Sequence, residues 1–380
     1  MTFEVHEARL DTADLLERAD PLGMLRAIAT SAAQVRESSA LAREVDLSDI
    51  RDGGRPRALV VVGMGGSAIA GDALTALAGI ASPMPIVTLR SYELPGWVGA
   101  ADLVVGVSCS GSTEETLTVM VEALRRGCRL AGVGAAGSQL HDTVERSRGP
   151  FIAVSAGGRQ PRANMWALTL PLLFIAQAAG ALTVSPHDIE ATAARLTEVS
   201  QTSRPASESF VNPAKSFALQ LAGSLPVVWG GSPVAAVAAY RWQTQFAENA
   251  KYPLISGTVP EANHNQVVTL DGPFAGSAPV DIFADPEDGA PESTRLRLIL
   301  LRDPTEHARV ALRMDASREL ADERGIPVTE ITADGDSDLE RLASLVAYGD
   351  YVSTYLAIAL GIDPTPVATI TALKTRIALR

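Results

Sequence analysis

A strand, a glycine turn and a helix follow one another twice in this chain, and this pattern constrains the fold more than any other feature. Residues 58–79 read ALVVVGMGGSAIAGDALTALAG, and residues 224–251 read SLPVVWGGSPVAAVAAYRWQTQFAENAK. Each begins with a continuous apolar run, which is typical of a strand buried on both faces of a parallel sheet. The likeness indicates an internal duplication of two α/β units, although any such junction of strand, glycine turn and helix shares these features.

The rest of the chain continues this alternation. Further strands are predicted in PMPIVTL, ADLVVGV, RLRLILL and PVTEI, and helical segments separate most of them. Alternating strands and helices favour an α/β fold with two doubly wound parallel sheets of the flavodoxin-like type in tandem. The predicted segments are an N-terminal helical segment (1–50), a first α/β domain that contains the first glycine turn (51–185), a connecting helix and linker (186–212), a second α/β domain that contains the second glycine turn (213–345), and C-terminal helices that pack back on the active site (346–380).

Composition and charge exclude several classes of protein. The chain has 380 residues, 47% apolar and 20% charged, so it is neither disordered nor collagenous nor a coiled coil. Its 32 basic and 44 acidic side chains give a net charge of −12, which opposes binding to nucleic acid or to an anionic membrane. Cys109 and Cys128 are too few for a disulfide framework or a zinc site, so we expect a reducing, cytoplasmic compartment.

Nothing in the sequence predicts membrane insertion or a bound metal. The most apolar stretch, residues 166–182, is short and contains Pro171, so it predicts a buried core helix. The first twenty residues are acidic and amphipathic, unlike a signal peptide. The five histidines are scattered outside any metal-binding motif, and we expect neither a metal nor another cofactor.

The first glycine turn carries Gly65, Gly66 and Ser67 where a predicted strand meets a predicted helix. Glycines allow a tight turn, and backbone N–H groups at the positive end of the helix dipole favour a phosphate. The turn also fits the loose dinucleotide pattern G-x-G-x-x-A. The acidic residue expected at the end of the next strand is missing, since Arg90 stands there and Glu93 comes late. A nucleotide-dependent oxidoreductase is therefore kept only as an alternative.

A second turn, at residues 108–113, again follows an apolar run and precedes a helix. Its hydroxyl groups, with Glu115 three residues after Ser112, also suit an ordinary helix cap or capping box. A cap needs one hydroxyl, however, whereas several hydroxyls suit one ligand with several acceptor oxygens. We therefore predict a phosphate cradle formed by Ser108, Ser110 and Thr113.

The second half of the chain offers candidates of another kind. Glu248 lies near the end of the helix after the second glycine turn, and His264 lies in the amide-rich loop PEANHNQ. They predict a polar hydrogen-bonding site, although each residue also suits a solvated surface. Arg162 follows a glycine pair and a proline, which allows it either to steady an oxyanion or to form a surface salt bridge.

The motifs GMGGSAIAGD, SCSGSTEET, PRA, FAENAKYP and PEANHNQ occur in this order, and together they resemble the bifunctional phosphoglucose/phosphomannose isomerase family. Members of this family consist of two sugar isomerase (SIS) domains, and the resemblance spans about residues 58–380. It implies a metal-independent enzyme that interconverts glucose 6-phosphate or mannose 6-phosphate with fructose 6-phosphate. It also implies a homodimer with shared active sites.

The resemblance assigns a role to each matching residue. Glu248 resembles the base that moves a proton between C1 and C2, and Arg162 the group that stabilises the enediolate. His264, which would reach the neighbouring subunit's site, and Lys374 resemble groups that assist ring opening. The residues that match the family's phosphate-binding loops are Gly65, Gly66, Ser67, Ser108, Ser110 and Thr113.

Some positions depart from the family pattern. Cys109 and Ser112 stand where tyrosine and asparagine are usual, and Gln266 stands where glutamate is usual. A threonine near the C-terminus accompanies the use of both sugar epimers, and Thr369 or Thr371 would supply it. These departures leave open a non-catalytic SIS protein that binds a phosphosugar to regulate a partner.

Overall fold

Two parallel sheets organise the chain, one in each half, as the repeated pattern predicts. The computed structural model describes residues 5–275 and 295–378, so residues 285–294, whose sequence DPEDGAPEST predicts a loop, lie outside the described residues. One unit comprises Ala27–Glu198 with Gly335–Ala343, and the other comprises Met1–Arg26, Val199–Asp334 and Ser344–Arg380. We call them the five-stranded unit and the four-stranded unit, and the domain boundaries given above remain a prediction.

The N-terminal segment is helical, as its apolar spacing predicts. Leu10, Met24, Leu25 and Ile28 are buried, which explains why short helices persist in this part of the chain. The helices are α1 (Ala8–Asp11), α2 (Ala13–Ala19), α3 (Met24–Ala29), α4 (Ser31–Glu44) and α5 (Ser48–Asp52).

The five-stranded sheet is wholly parallel, with the order β2-β1-β3-β4-β5. This is the flavodoxin-like order, in which ligands bind beyond the carboxyl ends of the strands. Its strands are β1 (Leu59–Val62), β2 (Ile86–Leu89), β3 (Leu103–Ser108), β4 (Arg129–Gly134) and β5 (Phe151–Ala153).

Helices cover this sheet, which is why every residue of β1 and β3 is buried. They are α6 (Gly66–Ala78), α7 (Glu114–Arg125), α8 (Gln139–Arg146) and α9 (Met165–Ala178). Helix α9 contains Pro171, packs on α4 and α6, and is buried along most of its length. The predicted core helix is therefore confirmed. Within the described residues, no helix is both long and apolar enough to cross a membrane.

The four-stranded sheet repeats the first part of this topology, with the parallel order β7-β6-β8-β9. Strand β6 therefore takes the place of β1, and β8 the place of β3. Trp229, Leu298 and Met314 are buried in its core. The strands are β6 (Ser224–Gly230), β7 (Ile255–Thr258), β8 (Arg295–Arg302) and β9 (Val328–Thr332).

The remaining helices include the predicted connecting helix, which is α10. Strand β7 was not predicted, because it is short, contains a glycine and is half exposed at the edge of its sheet. The fold class, two doubly wound parallel sheets in tandem, is confirmed. The remaining helices are α10 (Pro186–Thr202), α11 (Pro213–Leu221), α12 (Pro233–Gln245), α13 (Ala308–Glu323), α14 (Asp338–Ala359) and α15 (Ala368–Ala378).

Candidate active site

The first glycine turn leads from β1 into α6 in a conformation that needs glycine. Gly65 has a φ of +52°, in the left-handed region. A Cβ atom on Gly66 would lie 3.2 Å from Arg162 Cα, so the absent side chain lets the two backbones approach. Among the described residues, no side chain caps the start of α6. The turn therefore offers an anion its backbone N–H groups.

The serine turn connects β3 to α7. The Ser108 and Thr113 hydroxyl oxygens are 2.9 Å apart, and the backbone N–H of Gly111 donates to Ser108 Oγ at 3.1 Å. Thr113 is the N-cap residue of α7, yet neither its hydroxyl nor another described side chain makes a capping hydrogen bond there. These hydroxyls therefore do not cap α7, although Ser108 and Ser110 accept hydrogen bonds from the backbone N–H groups of Gly111 and Ser112 within the turn.

A hydrogen bond joins the two turns. The backbone N–H of Cys109 donates to Ser67 Oγ at 3.4 Å, and both Ser67 and Ser108 are buried. Ser110 is exposed and accepts from the Ser112 hydroxyl at 3.1 Å. Two helix N-termini with glycines and hydroxyls beside them favour an anion. We call these residues the serine cradle: Gly65, Gly66, Ser67, Ser108, Ser110 and Thr113.

Cys109, between the cradle hydroxyls, is a buried free cysteine. Burial raises the pKa of its thiol, and the nearby Arg159 charge acts in the opposite direction. Since only a thiolate is a strong nucleophile, Cys109 is unsuited to nucleophilic chemistry at neutral pH. It fills space where the family pattern has a tyrosine.

The corresponding turn in the four-stranded unit is already occupied by carboxylates. Ser232 Oγ accepts from the backbone N–H of Ala235 at 3.1 Å and donates to Asp303 at 2.7 Å. A Cβ atom on Gly231 would clash with Glu306 Oε2. Asp303 and Glu306 follow β8 just as the serine turn follows β3. Their negative charges make this second turn unsuitable for a phosphate.

Glu248 lies in a π-helical turn, Phe246–Ala250, that continues α12. Lys251 ends the turn with a φ of +53°. Its ammonium group donates to the carbonyl oxygens of Glu248 at 3.0 Å, Asn249 at 3.2 Å and Asp363 at 3.0 Å. The Glu248 backbone is therefore held by a charged group, and π-helical turns of this kind are frequent at functional sites.

A buried network lies on the other side of this turn. The amide of Asn249, which is fully buried, donates to Ser353 Oγ at 3.0 Å. Ser353 in turn donates to the carbonyl oxygen of Asp350 at 2.9 Å, and Arg241 makes two 3.0 Å hydrogen bonds to the Asp350 carboxylate. Helices α12 and α14 thereby fix the residue that follows Glu248.

Comparison with known proteins identifies the family. Residues 210–377 match the family model of the bacterial phospho-glucose isomerase C-terminal SIS domain. A bifunctional phosphoglucose/phosphomannose isomerase from Caldicellulosiruptor bescii is 32% identical over 320 residues, which are 84% of this chain and 89% of the relative. The chain belongs to the bifunctional phosphoglucose/phosphomannose isomerase family.

Further comparisons agree with this membership. A bifunctional phosphoglucose/phosphomannose isomerase from Thermoplasma acidophilum is 29% identical over 322 residues, 84% of this chain and 89% of the relative. The structure of a glucose-6-phosphate isomerase from Chlamydia trachomatis superposes with a TM-score of 0.65 at 14% identity, covering 93% of this chain and 78% of that one. The latter likeness shows the fold alone. The predicted resemblance is confirmed, and so is the prediction of an isomerase enzyme.

The motif PEANHNQ, which contains His264, begins in a 3₁₀ turn after β7. The glutamine at position 266, where the family usually has glutamate, has a structural explanation. Gln266 Oε1 accepts from the indole N–H of Trp229 at 2.7 Å, and its amide donates to the Ser256 carbonyl at 3.0 Å. A glutamate could accept from Trp229 but could not donate to Ser256. Gln266 thus anchors the loop to two strands, while His264 is exposed.

The structure places the family's predicted site residues in two groups. The serine cradle and the buried Arg162 belong to the five-stranded unit, where Arg162 adjoins Gly66. Glu248, His264 and the exposed Lys374 belong to the four-stranded unit, on three different elements. Arg159 was missed by sequence reasoning. The positive charge of Arg159 acts to lower the pKa of the Cys109 thiol. The sequence feature that could have indicated Arg159 is the presence of two arginines in GGRQPRA.

Proposed function

We propose that this isomerase interconverts glucose 6-phosphate or mannose 6-phosphate with fructose 6-phosphate, without a metal, through an enediolate. The observation that carries the proposal is the serine cradle. Ser67 accepts from the backbone of the serine turn, and no described side chain caps either adjoining helix. Such a site suits a dianionic phosphate and leaves the sugar carbons to other groups.

The phosphate supplies the binding energy in this proposal. It accepts hydrogen bonds from the backbone of Gly65 and Gly66 and from hydroxyls of the serine turn. Because the phosphate does not react, its binding energy orients C1 and C2 toward the catalytic groups. The carboxylates of Asp303 and Glu306 exclude a phosphate from the other glycine turn, so only one of the two glycine turns is open to the substrate phosphate.

Glu248 acts as the base. In the aldose-to-ketose direction its carboxylate removes the proton from C2 of the open-chain sugar, and the C1 carbonyl oxygen becomes part of an enediolate. The same group returns the proton to C1 while the hydroxyl proton moves from O2 to O1, so atoms and charge balance. Arg162 stabilises the enediolate oxygens. Lys251 supports this role by holding the Glu248 backbone.

The family resemblance supports the remaining assignments. His264 and Lys374 assist opening of the cyclic sugar, and His264 acts in the neighbouring subunit of a homodimer with shared active sites. The enzyme works in the cytoplasm, in the glycolytic and gluconeogenic use of hexose 6-phosphates.

The experiment compares Glu248→Gln with the wild type in assays run separately on glucose 6-phosphate, mannose 6-phosphate and fructose 6-phosphate. Loss of a general base lowers kcat by about 10²- to 10⁴-fold, with phosphosugar binding nearly unchanged. Glu319→Gln, which alters an exposed glutamate of α13, is the matched control and keeps wild-type rates. A fully active Glu248→Gln enzyme would refute the base assignment. Wild-type binding of fructose 6-phosphate without turnover would favour the regulator alternative.

A further inference from the structure

A pocket of about 490 Å³ opens at the amino end of the five-stranded sheet. Its walls come from the segment before β1, the residue Pro83 before β2, the turn before β3 and the first residue of β4. Pockets of roughly 300–1,000 Å³ are typical of small-molecule sites. This pocket is large enough for more than a bare phosphate.

Three arginines line the pocket: Arg55, Arg57 and Arg129. Arg57 makes two hydrogen bonds, of 2.9 and 2.6 Å, to the fully buried carboxylate of Asp102. Within residues 5–275 and 295–378, no carboxylate pairs with Arg55 or Arg129, and none lines the pocket. Neither of these two guanidinium groups thus has an ion-pair partner among the described residues, in a chain whose net charge is −12.

Two of the arginines are held in place before any ligand arrives. Besides Asp102, Arg57 donates to the Trp97 carbonyl and lies 5.7 Å from the centre of the Trp97 ring. Arg129 donates to the carbonyl oxygen of Gly54 at 3.0 Å. Guanidinium groups that are already ordered lose little conformational entropy when they bind an anion. The hydrogen bonds of Arg57 and Arg129 therefore favour anion binding.

The pocket lies at the opposite edge of the sheet from the serine cradle. The cradle follows the carboxyl ends of β1 and β3, whereas the pocket residues precede their amino ends. Strand β3 has six residues, and a strand of that length spans roughly 20 Å. One hexose phosphate cannot occupy both places.

We propose that this arginine pocket is a second anion site, which binds the phosphate group of a small phosphorylated metabolite. A phosphate monoester carries nearly two negative charges at neutral pH and so matches two guanidinium groups that have no carboxylate partner in the part of the chain that the structure describes. Planar guanidinium groups bind phosphate through paired hydrogen bonds. The site is distinct from the reaction site and is available while the cradle is occupied.

Trp97 provides a local reporter for the test. It is 46% exposed and adjoins Arg57, whereas Trp166, Trp229 and Trp242 are buried. Titration with inorganic phosphate should give a saturable change in tryptophan fluorescence that disappears in Trp97→Phe. In Arg55→Gln the midpoint should rise about 10- to 100-fold, because one charged hydrogen-bonding partner is lost. Arg51→Gln, an exposed neighbour outside the pocket, removes the same charge and should leave the midpoint unchanged.

A second measurement counts the sites. Equilibrium dialysis with labelled inorganic phosphate should find two sites in the wild type and one in a Ser67→Ala/Ser108→Ala variant, whose cradle is impaired. A single wild-type site, or equal effects of Arg55→Gln and Arg51→Gln, would overturn the proposal. Arg55→Gln should retain isomerase activity, because Arg55 is outside the catalytic machinery. Failure of the isomerase assay in the wild type would count against the proposed function and not against this site.

Discussion

The ammonium group of Lys251 lies 3.0 Å from the carbonyl oxygen of Glu248 and donates a hydrogen bond to it. Lys251 also bonds to the carbonyl of Asp363, so one side chain connects the turn that carries the proposed base to the segment after α14. From these contacts we expect Lys251 to position the turn around Glu248 rather than to transfer a proton.

We expect Lys251→Asn to lower kcat by about 10- to 100-fold with little change in KM. Asparagine tolerates the left-handed backbone at this position, so the substitution removes the amine and keeps the turn. A displaced base reacts more slowly, since an error of about 1 Å can cost 100-fold. The kcat and KM values from steady-state kinetics, with Lys251→Arg as the partial rescue, check this. Wild-type kcat in Lys251→Asn would show that the amine does not position Glu248.

Ser108→Ala should weaken phosphosugar binding. The Ser108 hydroxyl is buried, bonds to Thr113 and accepts from Gly111, so its loss removes a phosphate partner and loosens the turn. We expect kcat/KM to fall about 10- to 100-fold, mainly through KM. Thr118→Ala, which removes an exposed hydroxyl of α7 that donates to the Glu114 carbonyl of the same helix, is the control. An unchanged KM in Ser108→Ala would place the phosphate elsewhere.

The Arg241–Asp350 pair should contribute far more to stability than a similar pair at the surface. Asp350→Asn leaves the Arg241 charge buried with a weakened partner, and we expect a loss of about 3 kcal/mol in the free energy of unfolding. Glu190→Gln breaks the exposed pair with Arg36 and should cost less than about 1 kcal/mol. Denaturation by urea measures both. Equal losses would mean that burial does not govern the difference.

Gln266→Glu should destabilise the fold even though it restores the residue usual in the family. A carboxylate still accepts from Trp229, but it faces the Ser256 carbonyl without a hydrogen to donate. We expect a loss of about 1–3 kcal/mol, seen as a lower Tm. Gln220→Glu, on an exposed face of α11, should leave the Tm nearly unchanged. A Tm equal to that of the wild type would show that the loop adapts to the carboxylate.

Much of the fold could be predicted because its signals are local. The buried strands β1, β3, β6 and β8 appear as continuous apolar runs, and glycines mark the turns that follow the first strand of each sheet. Strand β7 carries no such signal, since it is a half-exposed edge strand of four residues. The grouping of residues 5–26 with the four-stranded unit depends on contacts distant in sequence, among them Lys215 with the Leu10 carbonyl and Asp11.

The sequence likewise predicted only part of the geometry of the candidate site. The cradle residues can be recognised in the sequence as hydroxyl-bearing residues and glycines at the ends of predicted strands. The π-helical turn around Glu248 has no such sequence pattern. Its shape results from Lys251 and from the network through Asn249 and Ser353, which lies about a hundred positions further along the chain. The position of Glu306 beside the second glycine turn could not be predicted either, because the neighbouring sequence does not determine the direction of that side chain.

That carboxylate makes the corresponding turns of the two units chemically different. Glu306 is held by Arg302 through bonds of 2.9 and 2.6 Å, so the glycine turn of the four-stranded unit has a carboxylate of its own chain beside it, where the corresponding turn of the five-stranded unit has the cradle hydroxyls. An anionic group built into the chain is present at all times, so the conformation of this turn should not depend on the concentration of sugar phosphate.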